Sequence, residues 1–173
     1  MWRTQVTQPK VAIVLGSDSD YPVIKDMLKI FKDFGIEYEL VISSAHRSPE
    51  RTRKLAAAFE GRGVQVVIAC AGAAAHLAGV IAADTILPVI GVPIDSSPLN
   101  GLDSLLSTSM MPAGIPVATM GIGKAGASNA AILAAQILSR GDAELAERLR
   151  AYKKRLADRV EEKDQALRKK LDG

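Results

Sequence analysis

His46 and Arg47 are the residues of this 173-residue chain whose types and spacing best suit chemistry. They follow an apolar run at residues 38–42, and the Ser48-Pro49 pair after them is typical of the N-cap and first turn of a helix. Both residues should therefore lie on a strand-to-helix loop, at the edge of an open α/β sheet where ligands bind. An imidazole exchanges protons near neutral pH, and a guanidinium can hold a phosphate through two hydrogen bonds. The pair predicts proton transfer beside an anchored phosphate.

A second loop, Gly16-Ser17-Asp18-Ser19-Asp20, is a candidate anion site. It lies between a strand predicted at residues 11–15 and a helix predicted to begin at Pro22 and end at Gly35. Unpaired backbone N–H groups at a helix start attract anions, although simple capping by Ser19 or Asp20 would explain the same residues. Because Asp20 could accept hydrogen bonds from ribose hydroxyls, the loop favours a sugar phosphate over inorganic phosphate.

A third loop, residues 71–79, follows a strand predicted at 64–70 and contains only one side chain larger than a methyl group before Leu77, that of His76. Ala71, Gly72 and their neighbours would let a ligand lie against the backbone, although close packing of a helix on the sheet would also favour small residues. His76 is expected to have a supporting role, since a lone histidine is more often a packing residue. Cys70 ends the strand and is expected to be an inert core thiol.

The rest of the chain adds two more strand-helix units. Strands are predicted at residues 88–92 and 114–119, and helices from 101 or 102 to 109 and from about 127 to 139. The intervening Gly121-Ile122-Gly123-Lys124-Ala125-Gly126 matches G-x-G-x-x-G, but no further strand follows to carry the acidic residue of a dinucleotide site. Tight strand-to-helix packing therefore explains these glycines better, with a pocket-lining role as the alternative.

Five such units with right-handed crossovers predict a three-layer doubly wound α/β fold, a parallel sheet of flavodoxin-like order 2-1-3-4-5. This order brings the loops after strands one, two and three together at the switch point between strands one and three. We expect a lead-in at residues 1–9, the α/β domain at 10–141 and a C-terminal helix at 142–173.

The C-terminal helix should extend past the domain, because about 30 residues at ~1.5 Å each span roughly 45 Å. Its apolar stripe would then be partly uncovered, which predicts a homo-oligomer in which the helix lies on a neighbouring subunit. A solvated charged helix is the alternative. The stripe consists of Leu145, Leu149, Tyr152, Leu156, Val160 and Leu167.

Composition restricts the partners and the compartment. The net charge is only +3 and no basic cluster is interleaved with aromatic residues, which argues against nucleic acid. No apolar run approaches a membrane span and the N-terminus lacks a signal-peptide layout, so we expect a cytoplasmic protein with no membrane partner. Two histidines and one cysteine provide no convincing metal-ligand set, and no cofactor is expected.

The three loops, in this order and spacing, resemble the bacterial-type (class I) branch of the purine-biosynthesis carboxylase family. The resemblance covers about residues 10–140. Ala73 and Ala78 depart from the pattern, since the family usually has glycine and proline there. The matching segments are Gly16–Asp20, Ser44–Arg47, Ala71–Leu77, Gly91–Pro93, Asn100–Leu105 and Met111–Pro116.

The resemblance implies a cofactor-free enzyme that interconverts N5-carboxyaminoimidazole ribonucleotide and 4-carboxy-5-aminoimidazole ribonucleotide. By the same likeness, Ser17, Asp20 and Arg47 would bind the ribose phosphate and His46 would be the general acid and base. The family usually forms octamers. The remaining residues expected around the small-molecule substrate are Gly16, Ser19, Ser44, Ala45, Ala71, Gly72, His76 and Leu77.

Two alternatives are weaker. A related carboxylase that uses aminoimidazole ribonucleotide and CO2 directly tends to have lysine after the histidine and lacks a second histidine, unlike Arg47 and His76 here. A non-catalytic flavodoxin-like module would need aromatic walls around a flavin, and the three pocket loops offer only Tyr21. A receiver module would need a phosphate-accepting aspartate after strand three, where the chain has Cys70-Ala71-Gly72.

Overall fold

A parallel five-stranded sheet of order β2-β1-β3-β4-β5 forms the centre of the molecule, as the sequence predicts. The computed structural model describes residues 8–171, so most of the predicted lead-in and the last two residues of the predicted C-terminal helix lie outside the described residues. The strands are β1 (Val11–Leu15), β2 (Tyr38–Ile42), β3 (Val66–Gly72), β4 (Val89–Ile94) and β5 (Ala118–Thr119).

Helices cover both faces of the sheet. Alternate residues of β1 point to opposite faces, so Ile13 packs in one apolar cluster with the helices at Lys25–Phe34 and Gly123–Leu138, whereas Val14 packs in a second with the helices at Pro49–Phe59 and Leu77–Ala83. The central strands are therefore apolar on both sides, which is why they read as unbroken apolar runs. The helices are α1 (Lys25–Phe34), α2 (Pro49–Phe59), α3 (Leu77–Ala83), α4 (Leu102–Ser109), α5 (Gly123–Leu138) and α6 (Ala143–Leu171).

The strand register aligns the loops. Leu15 at the end of β1 lies opposite Ile42 at the end of β2 and Cys70 near the end of β3. The strands β1 and β2 therefore end at the same level, and β3 continues for two more residues, Ala71 and Gly72, which were predicted to belong to the loop and instead pair with β4. The loops that follow the three strands therefore meet at one edge of the sheet, where they can form a single pocket.

Several predicted boundaries are wrong, each for a local reason. α1 begins at Lys25, because Asp18–Val23 forms a separate 3-10 helix. β5 has only two residues instead of six: Pro116 lacks an N–H for the ladder, and Gly114 has a φ of +97°. α5 begins four residues early, at Gly123.

The first half of α6 packs on its own domain and the second half does not. Leu145 and Leu149 are buried, and the ring of Tyr152 lies edge-on to Phe34 with the centroids 5.6 Å apart. Farther along, Leu156 and Val160 are 42% and 68% exposed. The predicted overhang is thus present. No helix within residues 8–171 combines the length and the apolar character needed to cross a membrane.

Candidate active site

One pocket of about 380 Å³ lies at the carboxyl ends of β1 to β4. It brings together every residue that the sequence predicts for the site except His76. Two residues that were not predicted, Ala74 and Ser96, also line it. The other lining residues are Gly16, Ser17, Ser19, Asp20, Ser44, Ala45, His46, Arg47, Ala71, Gly72 and Leu77.

The loop after β1 is shaped by a capping box. The hydroxyl of Ser17 accepts from the Ser19 N–H at 3.3 Å, and the Ser17 N–H donates to the Asp20 carboxylate at 3.1 Å. Ser17 is therefore the N-cap of the 3-10 helix at Asp18–Val23, whereas the capping residue expected from the sequence is Ser19 or Asp20. The capping explanation and the ligand explanation are compatible, because these residues also line the pocket.

Asp20 is the buried carboxylate of this loop, with 4% of its surface exposed. Burial is the main cause that raises the pKa of Asp20, and the charge of Asp18 adds to it; hydrogen bonds from Ser17 and Ser19 act in the opposite direction. A buried carboxylate without a cation beside it gains from hydroxyl donors, which a ribose would provide.

The loop after β2 is held by serine hydroxyls. Ser48 occupies the predicted N-cap position of α2, but its side chain makes no capping bond to the helix. Instead its hydroxyl donates to the Ser44 carbonyl at 3.0 Å and accepts from the Ser44 N–H at 3.1 Å. Ser44 in turn accepts from the Arg47 N–H at 3.2 Å. These bonds fix the backbone that presents His46 and Arg47.

Arg47 is exposed at the pocket. Its guanidinium forms no ion pair with any carboxylate of residues 8–171, in contrast to Arg53 and Arg62 of the neighbouring helix region. Its charge is thus available to an anionic ligand.

His46 and His76 form a pair. Nε2 of His46 and Nδ1 of His76 lie 2.8 Å apart, with the rings at 79° to each other. The sequence predicts His76 among the residues that line the pocket, and this prediction is wrong. His76 is the residue before α3, and it lines an adjoining hollow together with Met110 and Met111. The contact between the two rings restricts the orientation of the His46 ring, and the supporting role of His76 stays a prediction.

The wall after β3 consists of backbone and methyl groups. Ala73, at a position where the related family usually has glycine, adopts a φ of +51°. The Ser107 hydroxyl holds this turn, since it lies 3.3 Å from the Ala73 carbonyl and accepts from the Ala75 N–H at 3.2 Å. Two residues before the end of β3, Cys70 is fully buried, which raises the pKa of its thiol far above the ordinary value; the charge of Asp20 adds to the effect. An inert thiol is what the sequence predicts here.

The G-x-G-x-x-G segment does not line the pocket. A Cβ added to Gly126 would lie 1.6 Å from the Gly121 carbonyl oxygen, so the backbone of the preceding loop packs directly against the first turn of α5. Packing therefore accounts for this glycine.

Ser96 could have been found from the sequence. It lies two residues past β4, and β4 is the neighbour of β3 in the predicted strand order. The loop after β4 consequently reaches the same edge of the sheet. Ala74 carries no chemical signal and could only be found from the turn geometry.

The pocket combines one buried carboxylate, one guanidinium without an acidic partner, one imidazole and an apolar backbone wall. This set can hold a sugar phosphate at one end and exchange a proton at the other. Within residues 8–171, no three His, Cys, Asp or Glu side chains are arranged to hold a metal ion.

Comparison with known proteins gives a consistent result. The AIR carboxylase family profile matches residues 10–159. The N5-carboxyaminoimidazole ribonucleotide mutase of Pyrococcus abyssi is 56% identical over 149 residues, covering 86% of this chain and 84% of that protein. The Escherichia coli K12 protein of the same name is 50% identical over 151 residues, covering 87% and 89%.

A crystal structure of Treponema denticola PurE superimposes with a TM-score of 0.83 at 32% identity, covering 92% of this chain and 98% of that one. The region matched by the family profile contains the whole sheet and all four loops of the pocket. The chain therefore belongs to the AIR carboxylase family.

Proposed function

We propose that this protein is a mutase of purine biosynthesis that interconverts N5-carboxyaminoimidazole ribonucleotide and 4-carboxy-5-aminoimidazole ribonucleotide. Curated relatives about half identical over most of the chain are named for this activity. The observation that carries the proposal is the position of His46, between Arg47 and a wall of backbone and methyl groups in one pocket.

The loops after β1 and β2 would bind the ribose phosphate. Arg47 provides the positive charge for the phosphate, and the hydroxyls of Ser17 and Ser19 provide hydrogen bonds. Asp20 would accept from the ribose hydroxyls. This arrangement directs the aminoimidazole ring towards His46 and the wall after β3.

His46 would act as both acid and base. In the first step the bond between the exocyclic nitrogen and the carboxylate carbon breaks, CO2 forms, and the nitrogen receives a proton. In the second step C4 forms a bond to CO2 and loses its proton, which restores the aromatic ring. One proton is delivered and one is removed, so a single imidazole returns to its starting state after each turnover.

The wall would retain CO2 between the two steps. Ala71, Gly72, Ala74 and Leu77 present no charged group on that side of the pocket. A poorly hydrated surface limits the hydration and escape of CO2. The scheme uses no metal ion and no cofactor.

The proposed assembly is a homo-oligomer, an octamer by the family's usual habit, with the outer half of α6 on a neighbouring subunit. The exposed positions of Leu156, Val160 and Leu167 support this placement. We further propose residues 10–141 as the catalytic domain, a cytoplasmic location, and a small ribonucleotide as the partner rather than nucleic acid or membrane.

Carbon-13 NMR tests the function directly. The purified protein is given substrate labelled in its N-carboxylate, in unlabelled bicarbonate and without ATP. Undiluted label in the C4 carboxylate is the expected result. Diluted label, or equally fast product formation from aminoimidazole ribonucleotide and bicarbonate, would favour the direct carboxylase, and the absence of product would contradict both.

A further inference from the structure

Ser96 is a pocket residue with no role in the scheme above. It lies in the loop that follows β4 and faces Gly72 at the end of β3: a Cβ added to Gly72 would lie 1.8 Å from the Ser96 hydroxyl oxygen. Only glycine at position 72 leaves room for this hydroxyl. The contact places the Ser96 hydroxyl directly on the backbone wall of the pocket.

The Ser96 hydroxyl is free, whereas the neighbouring serines are engaged. Ser97 accepts from the Leu99 N–H at 3.2 Å, and Ser104 donates to the Ile94 carbonyl at 2.9 Å. Within residues 8–171 the side chain of Ser96 has no hydrogen-bond partner. It is therefore available to a ligand.

The loop that carries Ser96 is firmly positioned at both ends. The Ser104 hydroxyl also lies 2.9 Å from the Gly101 carbonyl oxygen, so its single O–H is within hydrogen-bond distance of both ends of the loop. A Cβ on Gly101 would lie 2.6 Å from Ile122, and a Cβ on Gly123 would lie 3.6 Å from the Asp95 carboxylate. The glycine-rich segment after β5 thus packs against this loop, although it does not itself line the pocket.

The position of Ser96 determines what it can contact. The polar side chains at the other end of the pocket come from the loops after β1 and β2, where the ribose phosphate is proposed to bind. On the β3 and β4 side, the lining consists of Ala71, Gly72, Ala74, Leu77 and Ser96. Ser96 is the one polar side chain among these five, and it lies where the base and its carboxylate would extend.

We infer that the Ser96 hydroxyl donates a hydrogen bond to the carboxylate that the reaction moves, and that the glycine-rich segment Gly121–Gly126 holds its loop in place. The inference rests on the proposed function. It assigns Ser96 a substrate-binding role that selects for the carboxylated nucleotide over the decarboxylated one.

Ser96→Ala tests the inference through a comparison of two ligands. Loss of a hydrogen bond to a charged group should lower kcat/KM about tenfold or more for either carboxylated ribonucleotide. Aminoimidazole ribonucleotide, which has no carboxylate, should inhibit the variant and the wild type with the same Ki in CO2-depleted buffer. Ser97→Ala is the matched control, since it changes the same loop but not the pocket lining. It should cause no selective loss of kcat/KM for the carboxylated ribonucleotides relative to the Ki of aminoimidazole ribonucleotide.

The possible results separate the two claims. Equal weakening of both ligands by Ser96→Ala, no effect on either, or the same selective loss in Ser97→Ala would overturn the role of Ser96. A wild-type protein that does not convert the carboxylated ribonucleotides would overturn the proposed function itself.

Discussion

At the scale of single residues, the proposed reaction divides between a proton carrier and an anion anchor that are adjacent in sequence. The backbone that bears His46 and Arg47 is fixed by Ser44 and Ser48. Their side chains can therefore be changed with little effect on the loop. A variant at His46 should therefore lose mainly turnover, and a variant at Arg47 should lose mainly binding.

His46→Asn should lower kcat about 100-fold or more, because asparagine cannot exchange a proton. Its affinity for the ribonucleotide should stay within a few-fold of the wild type, since the phosphate contacts remain.

Arg47→Ala should instead raise KM about tenfold or more through the loss of a charge-assisted contact. Calorimetric titration and single-turnover rates measure both effects, and a loss of binding in His46→Asn that equals its loss of turnover would contradict the assignment.

Asp20→Asn should alter stability and binding in opposite directions. Burial raises the pKa of Asp20 above its ordinary 3.8, so the folded state holds a proton that the unfolded state releases. The free energy of unfolding of the wild type should therefore fall as the pH rises from below 3.8 through the raised value. The variant should lack this fall and should bind ribonucleotide about tenfold more weakly. Denaturant titrations from pH 3 upward measure the difference, and parallel curves would refute it.

At the scale of elements, the glycine-rich start of α5 has a structural purpose that a motif search would misassign. Gly126→Ala should destabilise the protein by about 1–3 kcal/mol, because its Cβ would collide with the Gly121 carbonyl. Gly121→Ala is a matched control in the same segment, since no atom lies within 4 Å of its Cβ. The control should change stability by no more than about 0.5 kcal/mol. Thermal unfolding compares the two; similar melting temperatures would show that the contact relaxes at no cost.

The sequence predicts the strands and their order well because β1, β3 and β4 are apolar on both faces and end in recognisable loops. It predicts β5 poorly, because the apolar residues near Pro116 resemble a strand while the proline prevents pairing there. The side-chain directions are also beyond pattern reasoning. The Ser48 hydroxyl bonds to the Ser44 backbone of its own loop instead of capping its helix, and His76 contacts His46 from outside the pocket, across 30 residues of sequence.

Ala73 illustrates a substitution whose effect the structure explains. The turn keeps a left-handed backbone although the residue is alanine, because Ser107 bonds to the turn from α4. The left-handed turn thus forms with alanine at this position. The contact with α4 could not be predicted from spacing.

At the scale of the whole molecule, the outer half of α6 is one of the apolar surfaces that a single chain leaves uncovered. Changing Leu156, Val160 and Leu167 together to glutamate should reduce the mass measured by light scattering towards that of a monomer. The melting temperature of the α/β domain should fall only by the contribution of assembly, because Leu145 and Leu149 still pack inside. An unchanged assembled mass would show that this helix is a solvated extension.

Contact between α1 and α5 has a consequence for how the protein is made. The apolar face of α1, which includes Met27 and Phe31, packs in one cluster with α5, which follows about 90 residues later in the chain. At roughly 5–20 residues per second, the ribosome would expose that face for about 5–20 s before its cover is synthesised. The nascent chain therefore exposes an aggregation-prone apolar surface during about half of its translation. The protein should depend on chaperones during synthesis.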